Sequence, residues 1–154
     1  MTTLAEQAKR LQPVLAEAKP DRWIANGAPQ SYVGQLQVAQ NNVAALITAT
    51  TRLAKEPERM TAALDAYFRM EGVEAMLGSI RDGVRKYQNP ELADRLTRIM
   101  AETSNNRDKL RAHIQDLAAT REQEFQVMDE EAQRCRAMVV GQPATTANRN
   151  RKSK

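Results

Sequence analysis

The sequence predicts an all-α fold: an elongated antiparallel bundle of three to four main helices, with short N-terminal helices and a disordered C-terminal tail. Three observations carry this. Alanine supplies 24 of the 154 residues, and alanine is the best helix former. Leu, Ile, Val and Phe number 12, 5, 9 and 2, with little β-branched clustering, so no segment reads as a strand. The apolar residues recur three and four apart through long segments joined by the short links "KEPE" and "QN", and short links between long helices favour antiparallel neighbours.

The elements follow in order. "TLAE" reads as a capping box, with Thr3 as the cap and Glu6 reaching back. Leu4, Leu11 and Leu15 then share one face. Pro13 sits inside that run and removes a backbone donor, which predicts a kink or two short helices. "KPDRWIANGAPQ" reads as a helical turn closed by Gly27, with Pro29 starting afresh. From about 29 to 54 the apolar face is Tyr32, Val33, Leu36, Val43, Leu46, Ile47 and Leu53. Pro57 then marks a restart. The next stripe is Met60, Leu64, Tyr67, Phe68, Leu77, Ile80, Val84 and Tyr87. Asp65 with Arg69, and Asp82 with Lys86, stand four apart and give modest surface support. Gly72, Gly78 and Gly83 weaken this helix, and predict either a bend or the close approach of a neighbour.

In "QNPEL", Asn89 is the cap and Pro90 the first helical residue. Leu92, Leu96, Ile99 and Met100 form the inner face. "TSNNRD" predicts a break, with Ser104 or Asn105 capping a new helix. Beyond it Leu110, Ile114, Leu117, Phe125, Met128, Ala132, Cys135 and Val139 keep a helical period until Gly141 and Pro143. The expected organisation is therefore residues 1–28 as short helices covering the bundle, 29–140 as the bundle, and 141–154 as a basic tail.

The net charge of +4 is not spread evenly. Residues 1–140 carry as many acids as bases, and the whole excess lies in Arg149, Arg151, Lys152 and Lys154. Nucleic-acid binding is thus expected only weakly, through this tail, where no aromatic residue is interleaved to stack on bases. The single Cys135 excludes an internal disulfide. No apolar run approaches ~20 residues, so no membrane span is expected. The opening "MTTLAEQAKR" carries no signal peptide, which predicts a cytoplasmic chain, or a periplasmic one if Met1 heads a trimmed mature form.

No catalytic, metal or cofactor constellation assembles. His113 and Cys135 are about 33 Å apart along a single helix and cannot share an ion. A di-iron bundle needs two Glu-x-x-His pairs, and this chain has one His with no acid three residues before it. Cys135 reads as a small buried apolar residue. Its neighbours Arg134 and Arg136 point about 100° away on the helix and activate its thiol little. "GSIRDG" lacks the Lys-Ser/Thr ending of a phosphate loop.

The expected function is a non-catalytic interaction or self-association module. Trp23 anchors a cover segment or serves as an exposed partner contact. The acids Glu122, Glu124, Asp129, Glu130 and Glu131 form a solvated surface or a contact for a basic partner, such as another copy's tail. A second expectation is a small-ligand carrier, with Met60, Met70, Met76, Met100 and Met128 lining an interhelical groove. In "KPDRWIANGAP", "RKYQNPELAD" and "REQEFQVMDEEAQRCR" the chain resembles a small family of uncharacterised bacterial helical proteins, over most of residues 13–138. Members of that family carry an export signal, which this sequence does not show. The resemblance implies no activity and assigns no functional residue.

Overall fold

The computed structural model describes residues 2–141, with side chains from Thr3 onward. The tail arginines and lysines, Arg149, Arg151, Lys152 and Lys154, lie outside the described residues, as does the expected disordered segment beyond Gly141. Among the described residues there are five helices and no strand: α1 (Thr2–Ala16), α2 (Pro20–Ala25), α3 (Ser31–Lys55), α4 (Met60–Tyr87) and α5 (Pro90–Gly141). The chain divides into two units, one ending at Leu117 and the other starting at Ala118.

In the first unit, four helices enclose one core. α1 gives it Leu4, Ala8, Leu11, Val14 and Leu15, which are spaced to share one face. α3 gives Leu36, Val43, Leu46 and Leu53; α4 gives Met70, Val73, Leu77, Ile80 and Val84; α5 gives Leu92, Leu96, Ile99, Leu110 and Leu117. Alanines 39, 49, 62, 63, 66 and 93 fill further buried positions. Small side chains let the helix axes approach, so few large apolar residues still exclude water.

Cross-helix bonds fix the topology. Glu17, Arg10 and Gln7 bond in turn to Arg95, Glu102 and Asn106, so the first helix and α5 run antiparallel. Arg85 bonds Asp94 and Glu74 bonds Arg107, so α4 and α5 also run antiparallel. Ser79 bonds Gln35 and Asn42 meets Met76, which sets α3 antiparallel to α4. The result is an all-α antiparallel bundle in up-down-up-down order.

The compact unit ends at Leu117, and α1 contributes to the same core as α3, α4 and the first part of α5. Several expectations need correction. α1 is one helix with Pro13 inside it, because buried Val14 and Leu15 hold the following turn against the core. Thr3 stands in the first turn of α1 rather than at its cap. Asp82 bonds Arg81 instead of Lys86.

The expected break at 104–105 is absent, and α5 runs unbroken. The polar side chains there have other work. Thr103 Oγ1 donates to the Ile99 carbonyl (2.8 Å), Asn106 bonds Gln7 of α1, and Arg107 bonds Glu74 of α4. With Asn106 and Arg107 engaged across helices, the backbone ladder of α5 continues through 104–105. Other expectations hold. Asn89 Oδ1 accepts from the backbone N–H of Glu91 at 2.8 Å and so caps α5. Gly27 closes α2 at φ 91°, the left-handed region that favours glycine.

Candidate functional site

The candidate site is the second unit, built on the last part of α5. The sequence there changes character after Leu117, its last buried residue. From Ala119 to Gly141 every residue is exposed. Polar exposure is ordinary on a helix. The apolar exposure is not, with Phe125 at 73%, Met128 at 67% and Val139 at 75%. Cys135 is exposed as well, which corrects the expectation of a buried thiol: it does lie on the apolar stripe, but no described residue covers that stripe. A small groove on this surface is lined by Thr120, Gln123, Glu124, Val127 and Met128.

All five candidate acids lie on this helix and are exposed. Glu124 accepts from Arg121 at 2.8 Å. Asp129 accepts from Gln133 (2.8 Å), and Glu130 from Gln126 (3.4 Å). These i,i+3 and i,i+4 bonds hold the exposed helix by a few tenths of a kcal/mol each. Glu122 and Glu131 stand on opposite sides of the same helix. The charge is segregated along the segment. Residues 121–131 hold five acids and one arginine, whereas 132–141 hold Arg134 and Arg136 and no acid.

Trp23 is elsewhere and is fully buried, so it presents no surface to a partner. Its indole edge meets Tyr32 with ring centroids 5.4 Å apart, and its Nε1–H donates to Gln88 Oε1 at 2.8 Å. The same oxygen accepts from the Lys19 backbone N–H, while Gln88 Nε2 donates to the Glu17 carbonyl. One side-chain amide thus pins the α1–α2 link and α2 to the end of α4. Gly83 makes room for this arrangement, since a Cβ there would stand 2.8 Å from the Tyr32 ring and 2.9 Å from the Trp23 ring. Trp23 is the anchor of a cover segment.

His113 is half-buried, and its Nε2 lies 2.8 Å from the Pro57 carbonyl oxygen. A carbonyl only accepts, so Nε2 carries the proton and donates, which ties the α3–α4 link to α5. Glu74 is the most enclosed acid of the ion pairs. Burial pushes its carboxyl above the usual range against the opposing pull of Arg107, with Asp108 and Glu71 adding to the rise. Exposed Glu17 goes the other way, because the bidentate hydrogen bonds from Arg95 hold its carboxyl down.

Met70 is buried, and Met60, Met76 and Met100 pack against the core. Two grooves run between the N-terminal segment and α5. One is lined by Arg10, Pro13, Val14, Arg95, Arg98, Ile99 and Glu102, and the other by Glu17, Lys19, Arg22, Gln88 and Arg95 among others. Neither draws on a methionine. Among the described residues no three His, Cys, Asp or Glu side chains gather as a metal-holding group, and no helix is long and apolar enough to cross a membrane. No protein-family model, no curated protein and no solved structure matches the chain.

Sequence reasoning placed the stripe from Phe125 to Val139 on one face. An uncovered stripe on this helix is what the self-association reading predicts, whereas the reading of Cys135 as buried assumed a cover. The available signal was the loss of large apolar residues between Leu117 and Phe125, where Thr120, Arg121, Glu122, Gln123 and Glu124 stand instead.

Proposed function

We propose that this protein is a non-catalytic interaction module in which a packed helical bundle carries the Ala118–Gly141 helix as its binding surface. The observation behind this reading is the uncovered apolar face of Phe125, Met128 and Val139. Leaving a phenylalanine and a methionine side chain in water forgoes about 1.5–3 kcal/mol each relative to burial, and clustered exposure of this kind marks an interaction surface. The acids Glu122, Glu124, Asp129 and Glu131 flank that face, with Glu130 on the far side of the helix, and the flanking acids would select a partner bearing positive charge.

Native mass spectrometry of the protein isolated from its source cells tests the reading. The expected spectrum shows a protein assembly above the 17.3 kDa of one chain, which Phe125→Glu with Met128→Glu dissolves. A 17.3 kDa chain carrying a small molecule would instead support a ligand carrier. Polyanion binding that disappears on deletion of residues 142–154 would support attachment through the basic tail.

A further inference from the structure

We propose that the partner of the Ala118–Gly141 face is a second copy of this chain, with the two helices antiparallel and Phe125 and Met128 packed on Cys135 and Ala132 of the second copy. This deepens the interaction reading and rests on it. The first observation is spacing. Phe125, Met128, Ala132, Cys135 and Val139 follow one another at steps of three, four, three and four. That is the heptad seam of a helix that pairs with another helix, with Phe125, Ala132 and Val139 at one set of positions and Met128 and Cys135 at the other. All five are exposed.

The second observation is size, and it chooses the direction. Two parallel copies in register would stack Phe125 on Phe125, Met128 on Met128, Ala132 on Ala132 and Cys135 on Cys135. Wide layers would then be followed by narrow ones, and no single interaxial distance would fill both. Antiparallel copies centred near residue 130 pair Phe125 with Cys135 and Met128 with Ala132, on both sides of the centre. Every layer then holds one large and one small side chain, which is how facing positions interdigitate at a constant distance.

Charge within the seam agrees. One step before Phe125 the seam is occupied by Arg121. Parallel copies would set Arg121 against Arg121 inside the seam, whereas antiparallel copies set it against Val139, whose surface its aliphatic stem can cover. Glu122 beside the seam then meets Arg136 of the second copy, twice by symmetry. Parallel copies would set Glu124 against Asp129, which repel, and Glu131 against Arg136, which attract, so the flanking charges favour neither direction strongly and the seam itself decides. In the antiparallel pair Asp129 and Glu131 face their own counterparts, whereas Glu130, on the far side of the helix, meets nothing of the second copy in either direction.

Cys135 reports the direction. In the antiparallel pair the two Cys135 residues are displaced by ten residues, about 15 Å along the axis, and a disulfide needs Cα atoms within about 7 Å. In a parallel pair they would face each other. The experiment uses the full chain. Sedimentation equilibrium under reducing conditions is expected to show a concentration-dependent species of twice the 17.3 kDa chain mass, lost in Phe125→Glu. Mild oxidation of that dimer with diamide is expected to leave the wild type without a disulfide. Phe125→Cys is expected to join residue 125 to Cys135 of the other copy, identified in the linked tryptic peptide. As a check that does not perturb the seam, Glu122→Arg is expected to weaken the dimer at least threefold, and adding Arg136→Glu to restore it.

A Cys135–Cys135 disulfide dimer overturns the proposal, as does a dimer indifferent to Phe125→Glu or a failure of the charge swap to restore pairing. A monomer at all concentrations also overturns it. If the native assembly then contains a different protein that Phe125→Glu with Met128→Glu releases, the interaction reading stands without the second copy.

Discussion

The largest aromatic side chain of each unit makes the same point from opposite directions. Trp23 is fully buried, edge-on to Tyr32 over Gly83, with its N–H satisfied by Gln88. Phe125 is 73% exposed, and the next apolar residues along its seam, Met128 and Val139, are open too. Both sit on helices. The difference lies in what surrounds them. In the unit up to Leu117, four apolar faces close on one another. In Ala118–Gly141, a single apolar face has no counterpart among the described residues. Helix periodicity records which residues share a side, but not whether anything packs on that side.

Substitutions sharpen this contrast. Trp23→Ala should cost about 3–5 kcal/mol in urea unfolding, while Phe125→Ala in the isolated single chain should change stability by no more than about 0.5 kcal/mol. Equal losses at the two positions would break the comparison.

The glycines of α4 give the next largest effect. An added methyl at Gly83 meets two aromatic rings, one of them fully buried, and overpacking of that kind costs about 1–3 kcal/mol. This exceeds the helical gain of about 0.8–1 kcal/mol from replacing glycine with alanine. Gly83→Ala should therefore lower the thermal midpoint. At Gly78 nothing lies within 4 Å of the added methyl, so Gly78→Ala should raise it.

His113→Ala removes one hydrogen bond to Pro57 and should cost about 0.5–1.5 kcal/mol. Hydrogen exchange at the α3–α4 link should rise in that variant. An unchanged link would show that the bond holds nothing in place.

The smallest effects concern pH and separate two ion pairs within the packed unit. Glu17 has its carboxyl held below the ordinary value of 4.5 by Arg95. Its contribution is present above that value and is lost as pH falls through the lower folded value. Glu74 has its carboxyl raised from 4.5 by burial. The folded chain keeps that proton where the unfolded chain has released it, so stability declines as pH rises from the ordinary value through the raised one. Urea unfolding against pH should show Glu17→Gln flattening the acid limb and Glu74→Gln removing a decline on the other side.

The fold was legible where local chemistry and tertiary packing agree. Asn89-Pro90 starts α5, Gly27 ends α2, and the stripe Leu77, Ile80, Val84 faces the core. It was less legible where a polar side chain chooses between its own backbone and a neighbour. "TSNNRD" offers caps in isolation, but Asn106 and Arg107 bond to Gln7 and Glu74, about 99 and 33 residues away in sequence, and no local rule anticipates that. Trp23 was ambiguous for a related reason. Its burial depends on Gly83 and Gln88, which are remote in sequence. The candidate face was half legible: period gave its members, while its exposure follows from the absence of a covering helix.

Hydrogen exchange of the Ala118–Gly141 amides over a dilution series of the full chain tests the central claim most directly. Protection of these amides should rise with protein concentration, the core amides of α3 and α4 should not change, and Phe125→Glu should abolish the rise. Protection of Ala118–Gly141 that is the same at every concentration, and the same in Phe125→Glu, would contradict it.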